Sequence, residues 1–178
     1  MFSYFKVLSL NRGGWFLLFL TAFLLELTAL YFQHGMGLQP CVMCIYQRLA
    51  LLAIMFAGLL GMIAPKIAPL RWLSLLLALY GAVKGLMLAI QHTDYQLNPA
   101  PWNQCSPFVE FPQTLPLNQW FPSLFEATGD CSKTTWQFLG LSMSQWLIGI
   151  FAVYLLILVL LTLSQFKRSK RQSRPLFH

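Results

Sequence analysis

Acidic side chains are scarce in this sequence: Asp and Glu number five in 178 residues, and all charged residues together make up 10%. An ordinary soluble domain carries about 25% charged residues and a disordered chain usually more, so both classes are excluded. P-loops, Gly-rich dinucleotide fingerprints, internal repeats and low-complexity tracts are missing, which leaves no signature for NAD, flavin or haem chemistry. Cysteine is limited to four positions, Cys41, Cys44, Cys105 and Cys131, and histidine to three.

What the chain has in abundance is apolar surface, with 57% hydrophobic residues. Four apolar stretches, at residues 15–32, 45–64, 72–90 and 146–164, approach the length of about 20 residues that a helix needs to cross a bilayer. Little chain remains for a separate soluble domain. The expected fold is therefore all-α and integral to the membrane: one four-helix bundle over residues 1–178.

Positive charge orients the bundle. Lys6 and Arg12 precede the first span, Lys66 and Arg71 flank the short turn between the second and third, and a basic tail (residues 165–178) follows the fourth. The loops of the opposite face carry Lys133 alone, against Asp94, Glu110, Glu126 and Asp130. The positive-inside rule then places both termini in the cytoplasm and all four cysteines outside. A basic tail just after a membrane exit reads as a topology anchor, not as a nucleic-acid site. The first span contains Glu26 and no convincing small-x-small cleavage site, so it reads as a retained helix. The outer compartment is expected to be oxidising, since disulfides persist there and not in the cytosol.

The densest chemistry is Pro40-Cys41-Val42-Met43-Cys44. Proline suits the first position of a helix, which would put Cys41 and Cys44 in the first turn of span two. The positive end of the helix dipole favours a thiolate there. Arg48, four residues after Cys44, shares its helix face and could support that thiolate or an anionic oxygen of a bound partner. A structural zinc site is not expected, because it wants four closed ligands at characteristic spacings, and Cys105, Cys131, His34 and His92 form no such motif.

Residues 91–145 form a connection too long for a simple turn, holding six of the ten prolines and many aromatics. Leu117, Trp120, Phe121, Leu124 and Phe125 recur at helical spacing, which predicts a short helix lying on the bilayer surface. Cys105 lies in a proline-bracketed segment that could enter a partner's groove. Cys131 follows Gly129-Asp130, a turn at which it could move, and exposed loop disulfides exchange readily. Glu26 and Lys84 each lie about six residues inside the outer end of a span, and equal depth predicts an ion pair. With Arg48 they would form a polar layer beneath the CxxC motif. His34 and His92 sit at the outer ends of spans one and three; His34 reads as an interface residue, and His92 as either that or a proton relay.

Several segments carry a family resemblance: Glu-Leu-Thr-Ala-Leu at residues 26–30, Pro-Cys-Val-Met-Cys-Ile-Tyr-Gln-Arg at 40–48, Ile-Ala-Pro-Lys at 63–66, Gly-Asp-Cys at 129–131 and Trp-Gln-Phe-Leu-Gly-Leu-Ser-Met-Ser-Gln-Trp at 136–146. Over residues 15–165 the chain resembles the bacterial disulfide bond formation protein B (DsbB) family. That resemblance implies a four-helix bundle of the bacterial inner membrane, with periplasmic loops at about 33–44 and 91–145. It implies a quinone-dependent thiol oxidase that takes electrons from the periplasmic thioredoxin-fold oxidase DsbA and passes them to ubiquinone or menaquinone. By the same resemblance, a Cys105–Cys131 disulfide is attacked at Cys105 by reduced DsbA, and electrons reach Cys41–Cys44 through a Cys41–Cys131 bridge. Cys44 then faces the quinone with Arg48, and His92 is a further candidate for the quinone site. Gln47 departs from the pattern, where an acidic residue is expected. The competing readings are a reductase resembling vitamin K epoxide reductase and a non-catalytic membrane protein with structural disulfides.

Overall fold

The computed structural model describes residues 7–100, 102–103, 105–106, 109, 122–125, 127–134 and 136–166. Four long helices carry the fold. These are α1 (Arg12–Leu30), extended by a π-helical turn at Tyr31–Gly35, then α2 (Val42–Ile63), α3 (Ala68–Leu97) and α4 (Met143–Phe166). All four are long and apolar enough to cross a membrane, as the composition required. The expected surface helix falls mostly outside the described residues; within them, one helical turn covers Pro122–Phe125. The basic tail lies outside them beyond Phe166.

Consecutive helices pack side by side, α1 on α2, α2 on α3 and α3 on α4. Lipid gives no hydrophobic drive for helix association, so close approach of small residues has to supply it. Ala22, Ala57, Ala78, Ala82 and Ala89 are fully buried along these seams. At Gly58 a Cβ would stand 2.7 Å from the backbone nitrogen of Phe19, so glycine there sets the α1–α2 spacing. The hydroxyl of Tyr154 donates to Thr21 Oγ1 at 3.0 Å, tying α4 back to α1. At the C-terminal end of α4, Gln165 Nε2 donates to Ser9 Oγ, just ahead of α1, at 2.8 Å.

Helix α3 runs seven residues past the expected boundary at residue 90. Its last two turns are polar but held by side chains four apart: Gln91 Nε2 donates to Tyr95 Oη at 2.7 Å, and Asn98 Nδ2 to Asp94 Oδ1 at 2.7 Å. The extension keeps His92 and Thr93 helical and buried instead of at an interface. Hydropathy alone could not see this, because the extension is stabilised by hydrogen bonds and not by apolar content.

Ahead of α4 lies a two-stranded hairpin, β1 (Gln137–Phe138) with β2 (Leu141–Ser142). Its central residues Leu139 and Gly140 both have positive φ, 53° and 77°, as a type I′ turn requires. Ser142 and Gln145 cap α4 in the manner of a capping box, the Ser142 amide donating to Gln145 Oε1 at 2.9 Å.

Candidate active site

Cys41 is the N-cap of α2: its backbone is extended, and its sulfur accepts the Cys44 amide at 3.3 Å. The helix therefore starts at Val42, two residues later than the proline position predicts, with Pro40 just outside it. A thiol at the N-cap takes the role that Ser or Asp usually fills. The two sulfurs are 2.9 Å apart as free thiols. Pressed against the Cys44 sulfur and buried, the Cys41 thiol holds its proton above its ordinary range.

The second pair is a disulfide, Cys105–Cys131, with Cα atoms 6.2 Å apart. The sequence pointed to a mobile turn at Cys131, whereas the structure pins it. The amides of Thr128 and Gly129 both donate to the Pro40 carbonyl, at 3.1 and 3.0 Å. A Cβ at Gly129 would come within 3.2 Å of the Cys41 amide nitrogen and closer still to Gln39 O, so only glycine lets the two loops meet. Cys131 ends up 2% exposed in one buried cluster with Cys41, Val42 and Met43, while Cys105 at the cluster's edge stays partly accessible. Asp130, at the rim of this turn, accepts from the Ser132 amide and hydroxyl at 3.0 and 2.8 Å. Those bonds hold its carboxyl below the usual range.

Arg48 is buried on α2, and its Nε contacts Glu26 Oε1 at 2.9 Å. Its Nη1 donates to Gln33 Oε1 at 2.7 Å and to the Leu124 carbonyl at 3.0 Å. Arg48 thus clamps the loop turn at Pro122–Phe125 onto the bundle, a role its sequence context did not disclose. The expected Glu26–Lys84 pair does not form. Lys84 is exposed on α3 and makes no salt bridge among the described residues. Rotation of the helices about their axes decides pairing, and α3 turns Gly81, Ala82 and Gly85 inward instead.

His92 stands beside Cys41, with Nε2 3.5 Å from Cys41 Sγ and Nδ1 3.4 Å from Gln47 Nε2. His34 is exposed on the π-helical turn. A polar chain backs His92. Gln96 Nε2 lies 3.4 Å from its Nε2, Ser144 Oγ donates to Gln96 Oε1 at 2.7 Å, and Thr93 Oγ1 donates to Ser144 at 3.0 Å. Gln96 and Ser144 were not singled out by the sequence, and Gln47 stood out only as a departure from the family pattern; a Ser-Met-Ser-Gln helix start was the signal for Ser144.

A cavity of about 330 Å³ opens between α1, α2 and α4. Its walls are mostly apolar, including Leu25, Ala29, Phe32, Trp146 and Leu147, and its polar end is formed by Cys44, Gln47, Arg48 and His92. Aromatic rings edge it in sequence: Phe32 against Trp136 at 5.1 Å, Trp136 stacked on Phe138 at 6.0 Å, and Phe138 against Trp146 at 6.1 Å. Such a site suits a flat, apolar molecule with polar groups at one end.

The arrangement joins a disulfide, a dithiol and an apolar cavity in one row, which is the equipment for moving electron pairs between thiols and a lipid-soluble acceptor. Comparison with known proteins agrees. The family model "Disulfide bond formation protein DsbB" matches residues 11–161. The chain is 60% identical over 178 residues to disulfide bond formation protein B of Pasteurella multocida, covering all of both chains. It is 59% identical to that of Histophilus somni over 99% of each chain, and 57% identical to that of Yersinia pestis over 97% of each. The chain belongs to the DsbB family, and it is a multi-pass membrane protein-disulfide oxidoreductase.

Proposed function

We propose that the whole chain works as one domain that oxidises a DsbA-like thioredoxin-fold dithiol protein in the periplasm and delivers the electrons to a membrane quinone. The observation that carries the relay is the burial of Cys131 beside Cys41, with Cys44 on the cavity wall. Cys105 is the sulfur a partner can reach, so the partner's thiolate attacks it, the Cys105–Cys131 bond breaks and Cys131 leaves with the electron pair. When Cys41–Cys44 is a disulfide, Cys131 attacks Cys41, and Cys44 is released into the cavity as thiolate. The partner's second cysteine then displaces Cys105 and leaves as a disulfide. Two electrons and two protons have by then passed to the chain.

A quinone bound in the 330 Å³ cavity supplies a two-electron, two-proton acceptor. The fit is supported by the apolar walls and by the chemistry of the polar end, where Cys44, Gln47, Arg48 and His92 meet. Arg48 brings positive charge beside Cys44 and to any oxygen that gains negative charge there. His92, next to Cys41, is placed to take or return the proton of that thiol. The distribution of basic residues supports an inner-membrane orientation with both termini cytoplasmic and the cysteine end periplasmic.

Replacing the partner's second cysteine by Ser removes the thiol that displaces Cys105, so a mixed disulfide between Cys105 and the periplasmic partner should accumulate. Quinone reduction by the purified protein, with a reduced DsbA-type donor and each cysteine replaced in turn, tests the rest. Normal quinone reduction by the Cys44→Ser variant would reject the relay.

A further inference from the structure

We propose that the reduced inner pair is a binding site for a single zinc ion, held by Cys41 Sγ, Cys44 Sγ and His92 Nε2. The three ligand atoms lie within 4.8 Å of one another. Tetrahedral zinc, with Zn–S of about 2.3 Å and Zn–N of about 2.0 Å, sets sulfur and nitrogen ligands about 3.5 Å apart and two sulfurs about 3.8 Å apart. The Cys41 Sγ to His92 Nε2 distance is already 3.5 Å, and the sulfurs stand at 2.9 Å. The sulfurs need less than an ångström of opening to admit the metal, with Cys44 Sγ and His92 Nε2 drawing together from within 4.8 Å, and less than an ångström of closing forms the disulfide.

The surroundings are those of a metal-ligating histidine, which donates its second ring N–H to a fixed acceptor. Gln47 faces His92 Nδ1 through its amide nitrogen at 3.4 Å, while its buried Oε1 has no partner among the described residues. The two ends of a carboxamide are told apart only by their hydrogen bonds. A half-turn of this group pairs Nδ1–H with Oε1, puts the amide nitrogen where Oε1 stood, and leaves His92 Nε2 as a bare lone pair facing Cys41. Gln96 Nε2, now near His92 Nε2, gives up that contact when metal binds and keeps its bond to Ser144 through Oε1.

Space and charge agree. A second cavity of about 30 Å³, bordered by Cys41, Cys44, His92, Gln96, Asp130 and Met143, leaves room for one water at the fourth position. Two thiolates and neutral imidazole cancel the charge of Zn²⁺, so the buried complex is neutral. Binding forms two Zn–S bonds and releases the thiol protons without any electron transfer. A disulfide offers no thiolate, so zinc and the oxidised pair exclude each other, and the ion holds the pair reduced and stops turnover.

The inference goes beyond the relay and requires only that Cys41 and Cys44 be reduced; a failure of quinone reduction leaves it untouched. The test uses the full chain in detergent with Cys105→Ser and Cys131→Ser, so that the inner pair holds the only thiols, and Cd²⁺ stands in for zinc. One ion per chain, thiolate-to-metal charge-transfer absorption, proton release, and loss of all three after oxidation are expected. His92→Ala should weaken binding more than about tenfold, and Gln47→Leu about tenfold. Should His92→Ala fail to fold, cadmium NMR of the unmutated site reads the same point through a shift reporting two sulfurs and one nitrogen. An affinity unchanged by His92→Ala, a shift reporting sulfur without nitrogen, or no stoichiometric binding by the reduced protein would overturn the assignment.

Discussion

Replacing Glu26 by Leu tests the energetic core of the site. Glu26 is 8% exposed; its carboxylate pairs with Arg48 Nε at 2.9 Å and has a second oxygen without a partner among the described residues. Removing one member of a buried pair costs about 3–5 kcal/mol, because the other charge is left uncompensated. Here Arg48 keeps two strong acceptors, Gln33 Oε1 at 2.7 Å and Leu124 O at 3.0 Å. The Glu26 oxygen without a partner among the described residues also means that the native pair already carries an uncompensated desolvation cost. Both corrections lower the figure, to about 2 kcal/mol, or about 30-fold in the unfolding equilibrium. Arg48→Met should cost more, about 3 kcal/mol, because it removes the clamp on Leu124 as well. The double variant strands no charge and should cost at least 1 kcal/mol less than the sum of the singles, a coupling of roughly the size found for contacting residues. Reversible unfolding in mixed micelles followed by tryptophan fluorescence measures all three. Additivity to within about 0.5 kcal/mol would show that the pair contributes nothing specific and would refute the reasoning.

Lys84→Met should leave stability within about 0.5 kcal/mol of wild type, since Lys84 is exposed and unpaired among the described residues; a loss above about 2 kcal/mol in the same assay would return it to the polar layer. Gly58→Ala should lower stability by about 1–3 kcal/mol, because its Cβ meets the Phe19 backbone at 2.7 Å, and a melting curve matching wild type would contradict that packing. In the reduced protein, a membrane-permeant maleimide should label Cys44 roughly tenfold faster than Cys41, which is 4% exposed and keeps its proton; mass spectrometry of timed samples decides this. Asp130 has a depressed carboxyl pKa, so its contribution to the turn before Cys131 is present above the ordinary value of 3.8 and is lost as pH falls through its lower folded value. Protection of the Ser132 amide in hydrogen exchange should accordingly stay constant from neutral pH down to about that value and fall below it.

Much of the molecule was legible in advance, for reasons that can be named. The spans follow from apolar length, and the separation of basic residues from cysteines follows from loop charge. Both are sums over many residues, which single errors do not disturb. Boundaries were read less well: α3 continues to Leu97 on hydrogen bonds from Gln91 and Asp94 that leave no trace in hydropathy. Pro40 predicted a helix start two residues early, since a thiol can cap a helix as well as ride in its first turn.

By itself, then, the sequence determined a four-span membrane chain, two pairs of cysteines on one face, and an arginine one turn beyond the CxxC. Periodicity and local spacing are properties of a single segment, and they survive without knowledge of any other. Only the tertiary structure decided which segments meet. It gave Glu26 to Arg48 and not to Lys84, drew Cys131 onto Cys41 through Gly129 and the Pro40 carbonyl, and brought His92 from a distant helix to the thiols. Those choices depend on the rotation of each helix about its axis and on backbone approaches of about 3 Å, and such distances exist only after the helices have packed.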